Sequence, residues 1–413
     1  MGLVAWLALS RASPVQVETR LVCLAGAWCS LGLAWWLAKG VSGGSLLKIL
    51  WTWALLFRGI AFVAQPVLED DWFRYLWDGR MTATTGSPYG IPPERFFGDS
   101  SVPEPFQHIL DRINYPQAPT VYGPVSQLAF WLAFLAAPGK LWPLKAILVL
   151  ADLLTLVLVV RFAGPRNALL YAWCPLVIHE TGFNAHPDSL GCLFALAAWA
   201  AARKQDSPWT VSGLLAIAGG VKLTGLVMAP FLLRRHRLRG VVGLGAGLAL
   251  LYAPFLWQSG AAVAGPGLFG TDWEFNSSVF AVLSAVAGSA AARVLCGLAF
   301  GGFVLWQAAR KGDSTRFDLV FGVLLLLSPV ANPWYLIWAA PFAAMRPSAA
   351  IQSALAASAL SYLSGLHLGD PSLGAYEHPW WVRPIEYTTI LATAAAAGLI
   401  RLRTPRPETP LPQ

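Results

Sequence analysis

The chain has 413 residues, of which 56% are hydrophobic and only 12% charged, with 20 tryptophans and a mean hydropathy of +0.56. That leaves too few polar side chains to clothe a soluble globule, so an ordinary water-soluble domain is excluded and a bilayer becomes the solvent. The net charge of +8 resides in short clusters, "LRRHRLRG" (233–240), "RKGDSTR" (310–316) and "RLRTPR" (401–406). Such clusters mark the cytoplasmic side of a membrane protein rather than a nucleic-acid surface.

In chain order, the opening "MGLVAWLALSRASP" lacks a basic stretch ahead of its apolar run and reads as mature protein rather than a cleaved leader. Nearly charge-free runs follow at 21–39, 46–66, 142–162, 188–202, 240–257, 293–309, 317–330, 349–364 and 387–400. Several approach the roughly 20 residues that cross a ~30 Å core as a helix. Lipid excludes unpaired backbone groups, so the runs predict helices. The expectation is an all-α polytopic membrane protein with about 11–13 crossings, a single membrane domain over 1–413.

Counting loops back from the basic tail puts 365–386, 259–292, 183–189 and 67–124 outside, provided that the apolar run 126–138 does not cross. Only about 25 apolar residues separate the basic loops 203–206 and 234–239. Two short legs, 209–221 and 223–233, meeting at Lys222 would restore the parity.

The segment 67–124 carries 8 of the 21 acidic residues against four arginines. It opens on "EDDWFRYLWDGR", where Asp71, Arg74, Tyr75 and Asp78 stand at i, i+3, i+4 and i+7, one face of a helix. A carboxylate with an arginine one turn away suits a general base held ionised; a solvated salt-bridge face accounts equally for the pattern. "GSPYGIPP" (86–93) and "INYPQAPTVYGPVSQ" (113–127) supply rigid turns, with Tyr89, Tyr115 and Tyr122 offering hydroxyls and ring faces to a polar cyclic ligand.

Beyond it, "NAHPDS" holds His186 and Asp188, suited to bind sugar hydroxyls or to cap a helix that starts at Pro187. Two such ligands without a third argue against a metal. Lys222 stands alone in an apolar tract, where an ionisable side chain marks a functional site unless it snorkels or pairs with Asp152 or Asp188. "TDWEFNSS" (271–278) brings Asp272, Glu274 and Asn276 to the acidic side. "NPWYLIW" (332–338) places Trp334, Tyr335 and Trp338 either at a site or in an interfacial aromatic belt. The outer loop 365–386 is a possible lid. The five cysteines form no CxxC or CxxH spacing and predict neither a disulfide framework nor a metal site.

The order Asp-x-x-x-Tyr, "GSPY", "PTVYGP", "NAHPDS", "VKLTG", "EFNSS" and "SPVANPWYLIW" resembles the GT-C superfamily of membrane glycosyltransferases. It is most similar to bacterial polyprenyl-phosphate-mannose-dependent mannosyltransferases of the GPI-mannosyltransferase-like kind, over about residues 46–345. The resemblance implies a GT-C-like bundle with a large first extracytoplasmic catalytic loop, in a bacterial inner membrane with the active site facing the periplasm or exterior. It implies an inverting enzyme that moves a sugar, mannose by resemblance, from a polyprenyl phosphate to a lipid-linked or glycan acceptor, without a metal or other cofactor. Asp71 matches the base, with Asp70 in reserve. Lys222, Arg74 and Arg383 are candidates for the donor phosphate. Tyr75, Asp78, Tyr89, Tyr122, His186, Asp188, Asn276, Trp334 and Tyr335 are candidates for the substrates. A flippase or transporter of polyprenyl-linked sugars is the rival reading.

Overall fold

The computed structural model describes residues 17–259, 273–310 and 315–403. Asp272, the opening segment and most of the basic tail lie outside the described residues. The fold is all-helical, and its only extended pairing among the described residues is a parallel bridge between Phe275 and Val330.

Among the described residues, five helices are long and apolar enough to cross a membrane: α1 (Val17–Leu37, extended by a 3₁₀ turn to Gly40), α2 (Gly43–Val63), α6 (Trp142–Ala172), α9 (Arg237–Ser259, apolar from Leu238) and α11 (Ser289–Ala309). In α6 the helix breaks at Gly164 (φ 72°), just before Pro165. The expected 11–13 crossings exceed these five because most of the remaining apolar runs fold as shorter pieces, while 387–400 lies in a 22-residue helix, Val382–Arg403. The shorter pieces include α5 (Pro124–Ala136), α7 (Asp188–Arg203), α8 (Pro208–Val221), α10 (Val279–Ala287) and α12 (Phe317–Leu327), of 13, 16, 14, 9 and 11 residues. The run 349–364 is divided between a helix, Ala349–Ala357, and a 3₁₀ turn, Ser358–Tyr362. At ~1.5 Å per residue α5 spans only about 20 Å, in keeping with a segment that dips without crossing.

The break expected at Lys222 is present. Helix α8 stops at Val221, Lys222 is extended (φ −158°, ψ 138°), and a 3₁₀ segment Leu223–Met228 continues. The freed carbonyl of Val221 accepts a hydrogen bond from Ser126 at 3.1 Å, one of the partners that backbone outside a helix requires at membrane depth.

The large core cluster joins α2, α6, α7, α8, α12 and the 332–345 segment. A buried ion pair ties α2 to α6: Arg58 donates to Asp152 (2.7 Å), which also accepts from Tyr171 (2.7 Å). The acidic segment 67–124 is itself folded around a core of its own. Helix α3 (Asp71–Thr85) and the short α4 (Glu104–Leu110) bury Phe73, Leu76, Trp77, Phe106 and Leu110 against one another.

Candidate functional site

Helix α3 begins at Asp71 and α5 ends the loop that returns beneath it, so the 113–123 stretch is laid along the first turns of α3. Gly123 is required at the return: a Cβ there would strike the backbone carbonyl of Gly220, just ahead of the Lys222 break. The loop and the broken helix are thereby locked together.

The Asp71 carboxylate is gripped from two sides. Its Oδ1 accepts from the Asn114 amide (2.9 Å) and its Oδ2 from the Tyr122 hydroxyl (2.9 Å), with the Tyr75 hydroxyl further off at 3.5 Å. The Asn114 amide also donates to Asp70 Oδ1 at 2.7 Å, so one side chain orients both acids. The Tyr122 hydroxyl also lies 3.3 Å from that of Tyr75, which meets His186 Nδ1 at 3.1 Å.

His186 is wholly buried and stacks flat on Trp334, with centroids 4.0 Å apart and planes 10° from parallel. Next to Trp334, the Tyr335 ring carries the Lys222 ammonium over its face at 3.8 Å. Lys222 donates to both oxygens of Asp188 (3.1 and 3.3 Å), and Trp338 Nε1 holds Asp188 Oδ1 at 2.6 Å. His186 lies within electrostatic range of Asp71, Asp188 and Lys222 alike. A carboxylate and a cation are thus presented in one site, Asp71 partly exposed and the Lys222 side chain 24% exposed, while Asp188 behind them is buried.

Five separate stretches of sequence converge here. Asp71, Tyr75, Tyr122, His186, Asp188, Lys222, Trp334 and Tyr335 come together, with Asp70 alongside. The capping alternative for Asp188 is not what is found, since its carboxylate faces Lys222 and Trp338 and no side chain caps α7. The aromatic-belt alternative for 332–338 also gives way, because Trp338 is 1% exposed and the neighbouring rings pack on His186 and Lys222.

Other candidates are engaged elsewhere. The Arg74 guanidinium is consumed by the carbonyls of Asn114, Tyr115 and Ala118 (3.2, 2.9 and 3.0 Å), which pins the loop rather than presenting a cation. Asp78 is buried and accepts from Thr120 (2.5 Å) and Gln127 (2.9 Å). Tyr89 donates to the Tyr122 carbonyl at 2.9 Å. Asn276 is buried against Glu386 (3.1 Å), and Arg383 reaches Glu274 at 3.4 Å. From the 365–386 loop, Tyr376 tilts over Tyr115 (5.5 Å) beside the acids.

Two features escaped the sequence reading. Asn114 sits inside a quoted motif without being singled out, although an amide beside paired acids is the natural clamp. Behind His186, a single π-helical turn (His179–Phe183) buries Glu180, which accepts from Tyr362 (2.7 Å) and Asn184 (3.0 Å), meets His179 at 2.8 Å, and faces His186 Nε2 at 3.5 Å. A carboxylate in an otherwise apolar stretch is the signal that would have found it.

Burial first, then the charge of Asp71, pushes the Asp70 carboxyl up to about 6 against the pull of Asn114. Burial and the neighbouring acids Asp71, Glu180 and Asp70 hold Glu69 well above its usual range. One oxygen from each of Glu69, Asp70 and Asp71 lies within 4.8 Å of the others. These hard oxygen donors are the residues that could hold a divalent cation.

The chain matches the family model of MptA_B, alpha-(1->6)-mannopyranosyltransferase, N-terminal domain, over residues 3–235, more than half its length. It belongs to this family. No curated protein and no solved structure matches it. The matched span contains Asp70, Asp71, Asn114, Tyr122, His186, Asp188 and Lys222, and the membership supports mannosyl transfer as the reaction.

Proposed function

We propose that the protein transfers mannose from a polyprenyl-phosphate-linked donor to a hydroxyl of a lipid-linked or glycan acceptor at the extracytoplasmic face, by one inverting displacement. The observation that carries this reading is the joint presentation of an oriented carboxylate, Asp71, and a cation, Lys222, around His186. The two are linked through the packed side chains of Tyr122, Tyr75, His186, Trp334 and Tyr335.

In the step, Asp71 takes the proton of the acceptor hydroxyl as its oxygen bonds to the anomeric carbon. The bond from that carbon to the phosphate oxygen breaks, and the lipid phosphate leaves with the electron pair. Lys222 stabilises the charge it gains. Asn114 and Tyr122 hold Asp71 in the acceptor direction, and Asp188 with Trp338 holds Lys222. The donor phosphate has its cation in Lys222, so the step uses no metal, and chelation is expected to leave transfer unchanged. A loss of transfer on EDTA treatment that Mg²⁺ or Mn²⁺ restores would instead assign Glu69, Asp70 and Asp71 as metal ligands.

The acidic segment opposes the basic loops, which by the positive-inside tendency face the cytoplasm, and this supports the extracytoplasmic placement. The test is transfer of radiolabelled mannose from synthetic polyprenyl-phosphate-mannose by the purified chain. Consumption of the donor that disappears in Asp71→Asn supports the reading; donor translocated across vesicles but not consumed would favour a carrier.

A further inference from the structure

A polar cavity of about 260 Å³ lies at the far end of α7 from the site. Asp188 opens that helix and Arg203 closes it, about 23 Å away at ~1.5 Å rise per residue. The cavity is lined by Arg203, Arg234, Arg235 and His236, with Trp199 and Phe317 among its apolar walls, and among the described residues no carboxylate lines it. Asp318, next to the lining residue Phe317, is already held by Arg316 at 2.6 Å.

The arginines are placed rather than scattered. Arg203 lies in the last turn of α7, where its charge offsets the helix's negative end, and its guanidinium rests over Trp199 at 5.1 Å. Arg234 is fixed by the carbonyls of Ala308 and Arg310 at the end of α11 (3.1 Å each). Residues 234–236 immediately precede Leu238, where the apolar span of α9 begins, and Leu238 and Trp209 beside them are 75% and 58% exposed. The cavity therefore stands where the apolar span of α9 begins, with both apolar side chains and guanidiniums in its lining.

We infer that this cavity binds the phosphate headgroup of an anionic phospholipid in the leaflet opposite the transfer site. Arginine recognises phosphate through its planar, multi-donor guanidinium, and a basic pocket between membrane helices fits an anionic headgroup better than a zwitterionic one. The height of the cavity, level with the start of an apolar span, selects a lipid phosphate over a soluble one. The inference does not depend on the transfer reading, since no lining residue belongs to the site around Asp71.

The test is native mass spectrometry of the detergent-solubilised full chain, titrated with phosphatidylglycerol, phosphatidylcholine or sn-glycerol 1-phosphate. Phosphatidylglycerol is expected to bind with a Kd at least tenfold below that of phosphatidylcholine, and sn-glycerol 1-phosphate to bind much more weakly. R203Q/R235Q is expected to raise the phosphatidylglycerol Kd about tenfold or more and leave phosphatidylcholine unchanged, whereas R203K/R235K keeps most of the preference. Both side chains are exposed, and the single variant R203Q, expected to shift in the same direction, guards against a fold defect in the pair. Equal binding of the two lipids, or a preference untouched by R203Q/R235Q, would overturn the site. Binding of sn-glycerol 1-phosphate as tight as that of phosphatidylglycerol would overturn the lipid assignment in favour of a soluble phosphate.

Discussion

At Lys222, the proposed catalytic role and a structural one coincide and have to be separated by experiment. Its ammonium neutralises Asp188, which is 1% exposed, so Lys222→Gln leaves a buried carboxylate without its cation. Loss of one partner from a buried pair costs about 3–5 kcal/mol, and the 24% exposure of Lys222 puts this case near the lower end. Lys222→Gln/Asp188→Asn removes the stranded charge and is expected to recover most of the thermal stability. Transfer should stay at least ~100-fold down, because no cation faces the leaving phosphate. Recovery of both together would make Lys222 purely structural. Lys222 and Asp71 were legible in the sequence because each is a charge in an improbable place, and Asp188 because it begins a helix. Asn114 and Glu180 were not: their roles arise from partners reached only through the tertiary fold, 43 residues away for Asp71 and 182 for Tyr362.

The elements show the same division. Asp71, Arg74, Tyr75 and Asp78 do share one side of α3, as their spacing requires, and all four meet the 113–127 segment or its hydroxyls. Periodicity fixes that shared side but cannot say which member finds a partner. Arg74 is spent on loop carbonyls and Asp78 on Thr120 and Gln127, leaving Asp71 to face the site. The break at Lys222 was legible from length alone, since about 25 residues cannot make two crossings. What fastens the acidic loop to that break was not, because it depends on the close approach of Gly123 to Gly220. Gly123→Ala is expected to push the 113–123 segment off the broken helix, costing about 1–3 kcal/mol as overpacked sites do. It should also lower the transfer rate by displacing Asn114 and Tyr122. A melting temperature and rate equal to those of the unaltered chain would show that the loop finds its place by other contacts.

For the whole molecule, charge placement was readable before any contact was known: acids collect at one end of α7 and arginines at the other. The number of full-length spans was not, because composition marks an apolar run without showing where its backbone bends, as at Gly164 or 358–362. Stability should carry a pH signature from the buried acid Asp78. Burial raises its carboxyl to about 6, against the nearby Arg74 and the hydrogen bonds from Gln127 and Thr120. A raised folded pKa means that the fold favours the protonated form. Its contribution is therefore full below pH ~3.8, the unfolded value, and is lost as pH rises through about 6. Between pH 4 and 7 the Asp78→Asn chain is expected to lose less thermal stability than the unaltered one; parallel curves would contradict the assignment.

The central claim is that Asp71 activates a hydroxyl acceptor against a polyprenyl-phosphate-mannose donor. The most direct test is a single-turnover assay of purified chain and Asp71→Asn with radiolabelled donor and membrane lipid extract as acceptor. Product is expected from the unaltered chain, with the rate constant reduced at least ~100-fold in Asp71→Asn and donor binding retained, as loss of a general base requires. Equal rates in the two proteins would remove Asp71 from the chemistry, and an unaltered chain that binds the donor without consuming it would contradict the account as a whole.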